Sequence, residues 1–562
     1  MFSTGDVDVS QGIEGDWVTE VADRVIRAAA RRGIQGSIVC ASGISPSGAI
    51  HLGNLREIMV PHLVADEITR RGLPSRHLLS WDDYDRLRRV PPELPSSFAE
   101  HIGRPLTEVP DPTGEHENWS DHFKSPFRVA LAKLGVEVEE VSQSESYRSG
   151  VYRTQVLEAM AHRTEIYDVL ARFRTSAGPD DRPSDRATYW PYRPYCRVCG
   201  RDLTQVTAYD DETTELAYHC ECGHDDSFRL DSVDHGKLVW KVDWPMRWRF
   251  EDVAFEAGGV DHSTPGSSFT VGSQLVGPVF GGEPPVYVQY SFVGTDGAAK
   301  MSGSRGGALT PTDALAIIEP SVLRSLYCRE PRKSFTIAFG DKVANLYDEW
   351  DRLQRNVEAG TAGPRERAVH ARSISTASRL LPKTPRMLPF RSLASIVDIT
   401  NGDPEQLLRI VHGMTQGSSV ATLDEIRPRL DCATAWVTTY VASEERTKVR
   451  SEPDVAGLAA LTVDERAAVD LLLAGLDESW HLDGLTSLVY GVPKQQLHLD
   501  PSSREQSPEL KVAQRSFFAL LYRLLVGRDT GPRLPTLLLS LGAERIRSLL
   551  TIPGAEPVPV GL

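Results

Sequence analysis

No apolar run in this sequence approaches the ~20 residues needed to cross a bilayer, and Met1–Gly15 is polar and acidic, without the basic stem and greasy stretch of a secretory leader. The expectation is therefore a cytoplasmic chain with no membrane partner. Cysteine is scarce, with seven in 562 residues, at Cys40, Cys196, Cys199, Cys220, Cys222, Cys328 and Cys432. An odd, sparse set with four members bunched excludes a disulfide framework and points to metal instead. Basic charge is in deficit as well: 62 Lys and Arg against 77 Asp and Glu leave a net charge of −15. That excludes a protein that coats nucleic acid nonspecifically, although short basic strips at Arg70–Arg71, Arg86–Arg89 and Arg365–Arg372 remain candidate contacts. No fixed-period repeat occurs, and no Ser-His-Asp or Cys-His set presents itself as a nucleophile.

What is there is enough for more than one core. A chain of this length exceeds what a single hydrophobic core organises, so two to four packed units are expected. Ser37–Gly43 reads as a short buried strand ending in a glycine-bearing turn, and Leu55–Arg71 carries helical apolar spacing. His77–Trp81 is a second apolar run that ends in Asp82, Asp83, Tyr84 and Asp85, which makes a βαβ start with polar residues at the strand ends. A Pro- and Gly-rich stretch, Pro91–Phe123, reads as long loops, and Tyr147–Phe173 as a helical hairpin. The sheet pattern resumes after Val239, and Val286–Val293 alternates as a strand does. Beyond about Ser334 the chain turns to amphipathic helical segments, including Lys342–Asn356, Asp424–Ala442, Val463–Leu476 and Glu509–Val526.

Two loops carry the sharpest chemistry. Ser42-Gly-Ile-Ser-Pro-Ser-Gly-Ala-Ile-His-Leu-Gly-Asn54 lies where a strand hands over to a helix, and its glycines Gly43, Gly48 and Gly53 let a bulky nucleotide approach the backbone. There His51 can donate to phosphate. Far away, Lys300-Met-Ser-Gly-Ser304 follows a strand and suits a mobile clamp that neutralises charge building up on a triphosphate. In this order and sheet context the pair resembles the two signatures of the class I aminoacyl-tRNA synthetases, His-Ile-Gly-His and Lys-Met-Ser-Lys-Ser. The likeness extends through Trp81–Pro91, Pro110–His116 and Gly236–Ser268, where the sequence is similar to class I lysyl-tRNA synthetases. In that family Asn replaces the last His of the first signature, and Asn54 stands at that place here. The second signature departs from the pattern, because Gly303 stands where a second Lys is usual; Lys300 is left as the main charge, with Arg305 as a candidate substitute.

The resemblance implies ATP with Mg²⁺ at Pro46, Ser47, Gly48, His51, Gly53, Asn54, Lys300, Met301, Ser302 and Ser304, with His51 and Lys300 as the catalytic pair. It also implies Gly43 and Ser45 on the α-groups of an amino acid, and Trp244, Asp261, His262 and Tyr290 lining its pocket or the ribose side. A Trp wall with carboxylates nearby is what a long aliphatic cation such as lysine needs. Asp82 and Asp83 could pair with the substrate's side-chain ammonium or its α-amino group. Cys196-Arg-Val-Cys199 and Cys220-Glu-Cys222 form two thiolate knuckles, a tetrathiolate Zn²⁺ pattern with no open coordination position and hence structural, with His219 and His224 close by.

The expected fold is thus α/β: a Rossmann-like parallel-sheet catalytic domain with a zinc-bearing insertion, followed by an all-α C-terminal domain that the resemblance makes an α-helix cage. The expected bounds are 1–95 and 235–335 for the catalytic domain, 96–234 for the zinc-bearing insertion, which the resemblance makes a grip on the acceptor end of tRNA, and 336–562 for the helical domain, which it makes the anticodon-binding domain. The expected activity is that of a lysine–tRNA ligase, a monomer using lysine, ATP and tRNA(Lys), with the terminal 2′-hydroxyl acylated first. Two readings compete with it. One is a paralogue that passes an activated amino acid to a non-tRNA acceptor; the other is a non-catalytic tRNA-binding module.

Overall fold

The computed structural model describes residues 13, 15–92, 94–173, 185–295, 309–414, 420–477, 480–501 and 507–552. It divides into two compact units, one formed by Met1–Leu315, Pro320–Val343 and Arg352–Pro382, the other by Ala316–Glu319, Ala344–Asp351 and Lys383–Leu562. No helix among the described residues is long and apolar enough to cross a membrane.

The first unit is built on a five-stranded sheet. After helix α1 (Trp17–Arg32) come strand β1 (Ile38–Ile44), helix α2 (Leu52–Arg70), β2 (Ser75–Trp81), helix α3 (Trp119–Lys133) and β3 (Glu139–Ser142). An insertion then carries β4 (Tyr192–Pro194), β5 (Thr204–Tyr209), β6 (Glu215–Cys220), β7 (Asp225–Arg229) and β8 (Gly236–Leu238). Helix α4 (Trp240–Phe250), β9 (Val253–Gly259), helix α5 (Ser268–Phe280) and β10 (Val286–Tyr290) return the chain to the main sheet. The strand order is β10-β9-β1-β2-β3, and every pair is parallel. From β1 the chain winds one way to β2 and β3, and later the other way to β9 and β10. The crevice at the carboxyl ends of β1 and β9 is therefore the topological switch point, where open parallel sheets take their ligands.

Alternation along β1 decides what covers each face. Val39 and Ala41, with Leu78 of β2 and Val253 of β9, pack against Trp244 and Trp248 of α4. Ser42 turns the other way and bonds the buried His77 at 3.0 Å, beside His62 of α2. The insertion pairs β4 with β8 antiparallel and folds β5-β6-β7 into a three-stranded antiparallel ribbon.

The expected strands and helices fall close to their observed spans, with Leu55–Arg71 observed as Leu52–Arg70 and His77–Trp81 as Ser75–Trp81. The sheet resumes after Val239 as expected, at Val253, once the helix Trp240–Phe250 has been formed. Its Trp and Val residues and the internal Pro245 favour a strand or a break locally, and burial of one helix face against the sheet overrides that preference. The alternating run expected from Val286 breaks after Tyr290 and resumes at Val293–Thr295, in a separate two-stranded sheet with Phe335–Ile337.

The second unit is helical, with no strand among its described residues. Its helices include Phe390–Thr400, Pro404–Met414, Arg429–Tyr440, Val463–Gly475, Leu482–Gln496, Pro508–Val526 and Leu534–Leu541. Arg429 is fully buried there and bonds Glu319 at 2.6 Å and Asp351 at 2.9 Å.

Arg70, Arg71 and Arg372 of the basic strips are taken up inside the first unit, while Arg365 and Arg367 are exposed. Arg70 pairs with Asp66 at 2.8 Å and Arg71 with Glu67 at 2.8 Å, and Arg372 is buried between Asp16 at 2.7 Å and Glu67 at 2.8 Å. Removing one partner of such a buried pair strands the remaining charge. Arg372→Ala is expected to cost about 3–5 kcal/mol of stability in denaturant unfolding, and a loss under about 1 kcal/mol would show that the pair is dispensable.

Candidate active site

Helix α2 begins at the switch point, and His51 is its N-cap. The His51 Nδ1 accepts from the backbone amides of Gly53 at 3.0 Å and Asn54 at 3.3 Å, while the Asn54 side-chain oxygen accepts from the His51 amide at 3.2 Å. This reciprocal cap explains the spacing of His51 and Asn54, which lie three residues apart. It also fixes the tautomer: with Nδ1 accepting, a neutral ring carries its proton on Nε2, which becomes the donor. Leu52 gives its amide to the carbonyl of Leu309 at 3.0 Å. The helix end thus offers its dipole and an imidazole N–H, since its first amides are already engaged.

Pro46 and Gly48 are buried and Gly43, Ser45, Ser47 and Gly53 half-buried, all between the end of β1 and the first turn of α2. Lys300, Met301, Ser302, Gly303, Ser304 and Arg305 lie outside the described residues.

Beside this turn sits Glu57, one turn further along α2. Its carboxylate accepts from the Tyr290 hydroxyl at the end of β10 and from the Gly43 backbone amide at the end of β1. Burial raises its pKa from 4.5 to about 8, and the charges of Glu256 and Asp261 push the same way. Glu256 is a lone carboxylate in the otherwise apolar β9 and is 4% exposed. It accepts from the Trp244 indole at 2.9 Å and from the Trp248 indole, and burial raises it to about 7 in spite of these donors. Three acids, one on α2, one within β9 and one on the turn after it, thus lie in electrostatic reach of Glu57's position.

The aromatic wall follows from helical spacing. Trp240, Trp244 and Trp248 recur every fourth residue of α4, so they form one stripe, with ring centroids 5.3 Å and 5.1 Å apart along it. His262 stands edge-on to Trp244 at 5.9 Å. Asp261 and His262 lie on the single turn Val260–Ser263 after β9. Two glycines let that turn form. A Cβ on Gly258 would lie 2.1 Å from the Tyr287 hydroxyl, and one on Gly259 would lie 2.5 Å from Asp261 Oδ1. A side chain at either place would require Tyr287 or Asp261 to move aside.

Asp82 and Asp83 part company. Asp83 is fully buried and taken up by Lys124 of α3 at 2.7 Å, by the Ser142 hydroxyl at 2.8 Å and by the Ser144 amide at 2.8 Å, so its carboxylate braces the loop after β2. Asp82 accepts from Arg247 of α4 at 2.7 Å, and the same guanidinium reaches Ser80 at 2.9 Å and Asp243. Gly43, Trp244 and Arg247 share one cleft with Ser80, Gln143 and Glu256. Trp244, His262, Tyr290 and Gly43 are therefore gathered at the strand ends, and Asp83 is set apart from them. Glu57, Glu256 and Arg247 were not singled out in the sequence, although a single acid inside an apolar strand is a signal that points to Glu256.

In the insertion, Cys196, Cys199, Cys220 and Cys222 bring their sulfurs within 4.8 Å of one another. Cys196 and Cys222 are 3.7 Å apart, and Cys199 and Cys220 3.6 Å. Metal–sulfur bonds of ~2.3 Å in a tetrahedron put sulfurs ~3.8 Å apart, so the four fit a metal ion. Backbone amides of Val198 and Cys199 point at the Cys196 sulfur, and that of Cys222 at Cys220.

Strand-order reversal beside a helix start, with ionisable groups collected at the strand ends, is the arrangement of doubly wound α/β enzymes. Residues 15–378 match the family described as tRNA synthetases class I (K). A lysine–tRNA ligase of Streptomyces coelicolor is 53% identical and aligns over 95% of this chain and 98% of that one; the lysine–tRNA ligase of Pyrococcus horikoshii is 32% identical over 96% and 99%. Among solved structures, a glutamate tRNA ligase from Elizabethkingia meningosepticum covers 92% of this chain and 98% of its own at 13% identity and a TM-score of 0.40. The chain belongs to the class I tRNA synthetase family of the lysine type.

Glu57 sets a pH dependence. A carboxyl whose pKa is raised on folding holds its proton better in the folded state, so its contribution to stability is largest at low pH and is lost as pH climbs from the unfolded value of 4.5 to about 8. Glu57→Gln should flatten the fall in thermal stability between pH 5 and pH 8. An unchanged pH profile would show that Glu57 titrates normally.

Proposed function

We propose that this protein activates lysine with ATP and transfers it to the 3′ end of tRNA(Lys). The observation that carries the reading is the Glu57–Tyr290 pair, a half-buried carboxylate held beside the ends of β1 and β10 with two more acids in electrostatic reach. Such a site is short of one positive charge. An ammonium on a long aliphatic chain supplies it, with Trp244 and its neighbours packing the methylenes. The near full-length identity to the Streptomyces ligase supports the same substrate.

In this reading Gly43 and Ser45 hold the α-groups, and Asp261, His262 and Tyr290 complete the pocket and the ribose side. Pro46, Ser47, Gly48, Gly53 and Asn54 shape the nucleotide site. The lysine carboxylate attacks the α-phosphorus of ATP, the bond to the β-phosphate breaks and pyrophosphate leaves; a terminal ribose hydroxyl then attacks the carbonyl and AMP leaves. No protein nucleophile is needed. His51 donates from Nε2 to the phosphates, and Lys300, with Met301, Ser302 and Ser304 around it, brings an ammonium to the same charge. Mg²⁺ supplies further charge neutralisation on the triphosphate. The four cysteines hold structural zinc, which fixes the β5-β6-β7 ribbon.

Lysine-dependent ATP–pyrophosphate exchange tests the reading: exchange with lysine above all other amino acids, followed by charging of tRNA, is expected. Exchange without charging would favour another acceptor, and tRNA binding without exchange a non-catalytic module. His51→Ala should cut exchange by about 10²-fold with the fold unchanged; normal exchange in that variant would remove His51 from the mechanism. Stripping the metal with a chelator should slow tRNA charging more than exchange and expose the ribbon to proteolysis. An equal loss of both steps would contradict a structural role.

A further inference from the structure

Arg56 lies one residue before Glu57 on α2, is 1% exposed and has no part in the chemistry above. Its guanidinium is taken up by carbonyls from two distant segments. One arm donates to Ser291 at 3.0 Å and the other to Glu330 at 3.1 Å and Lys333 at 3.0 Å, and its Cζ lies 5.0 Å from the centre of the Phe335 ring. No carboxylate among the described residues bonds it, although the Glu330 charge is in electrostatic reach. Burial lowers its pKa to about 10, so it keeps its charge at neutral pH. A buried cation held by neutral dipoles is a costly way to gain stability. What the planar fork supplies is direction, since its donors point along fixed lines to both segments at once.

Those segments frame one small sheet. Ser291 gives its amide to the Pro331 carbonyl at 2.9 Å, and just beyond it β11 (Val293–Thr295) pairs in parallel with β12 (Phe335–Ile337), which follows Lys333. β11 is the strand that precedes Lys300 in the chain. The far flank of the Lys300 segment is tied to the same helix: the Leu309 carbonyl accepts from the Leu52 amide at 3.0 Å, and the Leu52 carbonyl accepts from the Tyr327 hydroxyl at 2.7 Å. Both flanks are thus held near the start of α2, whose cap is His51. Adjacent residues of that helix divide the work, with Glu57 taking the Tyr290 hydroxyl and Arg56 the next carbonyl along, that of Ser291.

We propose that Arg56 is a positioning residue for the adenylate-forming step: by gripping the carbonyls of Ser291, Glu330 and Lys333 it fixes β11, which leads to Lys300, against the helix that presents His51. This rests on the ATP-dependent activation read above. Arg56 touches neither substrate and acts through Lys300, where a misplacement of about 1 Å is enough to slow the chemistry by about 10²-fold.

The test measures lysine-dependent ATP–pyrophosphate exchange with the full-length wild type, Arg56→Met, Arg56→Lys, Lys300→Ala and the double variant Arg56→Met with Lys300→Ala, at a temperature where unfolding curves show each one folded. Lysine affinity is measured separately, by calorimetry without ATP. Arg56→Met should lower exchange kcat by about 10²-fold and leave lysine affinity within about twofold, and Arg56→Lys, which keeps the charge but not the fork, should fall between. The double variant should be slower than Lys300→Ala by no more than about twofold, because a residue that acts through Lys300 then has nothing left to position. Arg372→Ala, which removes a buried guanidinium elsewhere in the same unit, should lose stability and keep exchange kcat. Backbone hydrogen exchange gives a readout apart from activity: amides of β11 and β12 should exchange faster in Arg56→Met, and those of β2 should not.

Wild-type kcat in Arg56→Met, a loss that multiplies in full with that of Lys300→Ala, undiminished exchange in Lys300→Ala, an equal loss of kcat in Arg372→Ala, or unchanged hydrogen exchange in β11 each overturns the proposal. So does a loss carried by lysine affinity, which would assign Arg56 to the Glu57 pocket. If Arg56→Met does not fold, Arg56→Lys and its double variant with Lys300→Ala are judged by the same rule. A wild type without lysine-dependent exchange would sink the functional reading instead, while hydrogen exchange in β11 still judges the anchor.

Discussion

Glu57 of α2 and Glu256 within β9 lie in each other's field in a cleft largely shielded from water, so burial resists their ionisation unless a cation joins them. Glu57 and Glu256 respond by rising to about 8 and about 7, and two indoles and a phenol give up their hydrogen bonds to hold them. A fold that keeps such acids buried in its ligand-free form stores an unmet demand for positive charge. The demand is specific in shape as well, since the Trp240–Trp244–Trp248 stripe flanks it with apolar surface suited to methylenes.

The rest of the first unit serves that constraint. Reversal of strand order between β1 and β9 opens the crevice, and Gly258 and Gly259 let the chain turn within reach of Tyr287 and Asp261. His51 closes the N-terminus of α2 on one side, and the Trp240 indole flanks the other. Buried pairs such as Arg372 with Asp16 and Glu67 tie α1 and α2 to the later helix Pro364–Ile374. Rigidity of this kind matters when catalysis depends on alignment of reactants rather than on a protein nucleophile.

Much of this was legible in the sequence wherever local pattern and tertiary role agree. The strand–turn–helix around His51, the thiolate knuckles at Cys196 and Cys220 and the helical C-terminal segments are set by short-range spacing. The family likeness through Trp81–Pro91 and Gly236–Ser268 gave the architecture that spacing alone could not. What stayed hidden depends on contacts between distant segments. Glu57 looks like one more exposed helix acid until Tyr290, 233 residues away, is folded against it. Asp82 and Asp83 look equivalent until Arg247 takes one and Lys124 the other. Trp240–Phe250 carries residues with strand preference, and its helix is recognised only once the sheet face it covers is known. The capping role of His51 was equally unseen, because imidazole is a less common cap than Ser or Asp.

The central claim is that the cleft is an acid trap for a long-chain ammonium, and proton release on binding measures it most directly. Titration calorimetry with lysine near pH 7, repeated in buffers of different ionisation enthalpy, should show a substantial fraction of a proton released per lysine bound as Glu57 and Glu256 ionise against the ammonium. Norleucine, which keeps the methylenes and lacks the ammonium, should bind weakly and release none. Lysine binding without proton release, or norleucine binding as well as lysine, would contradict the account.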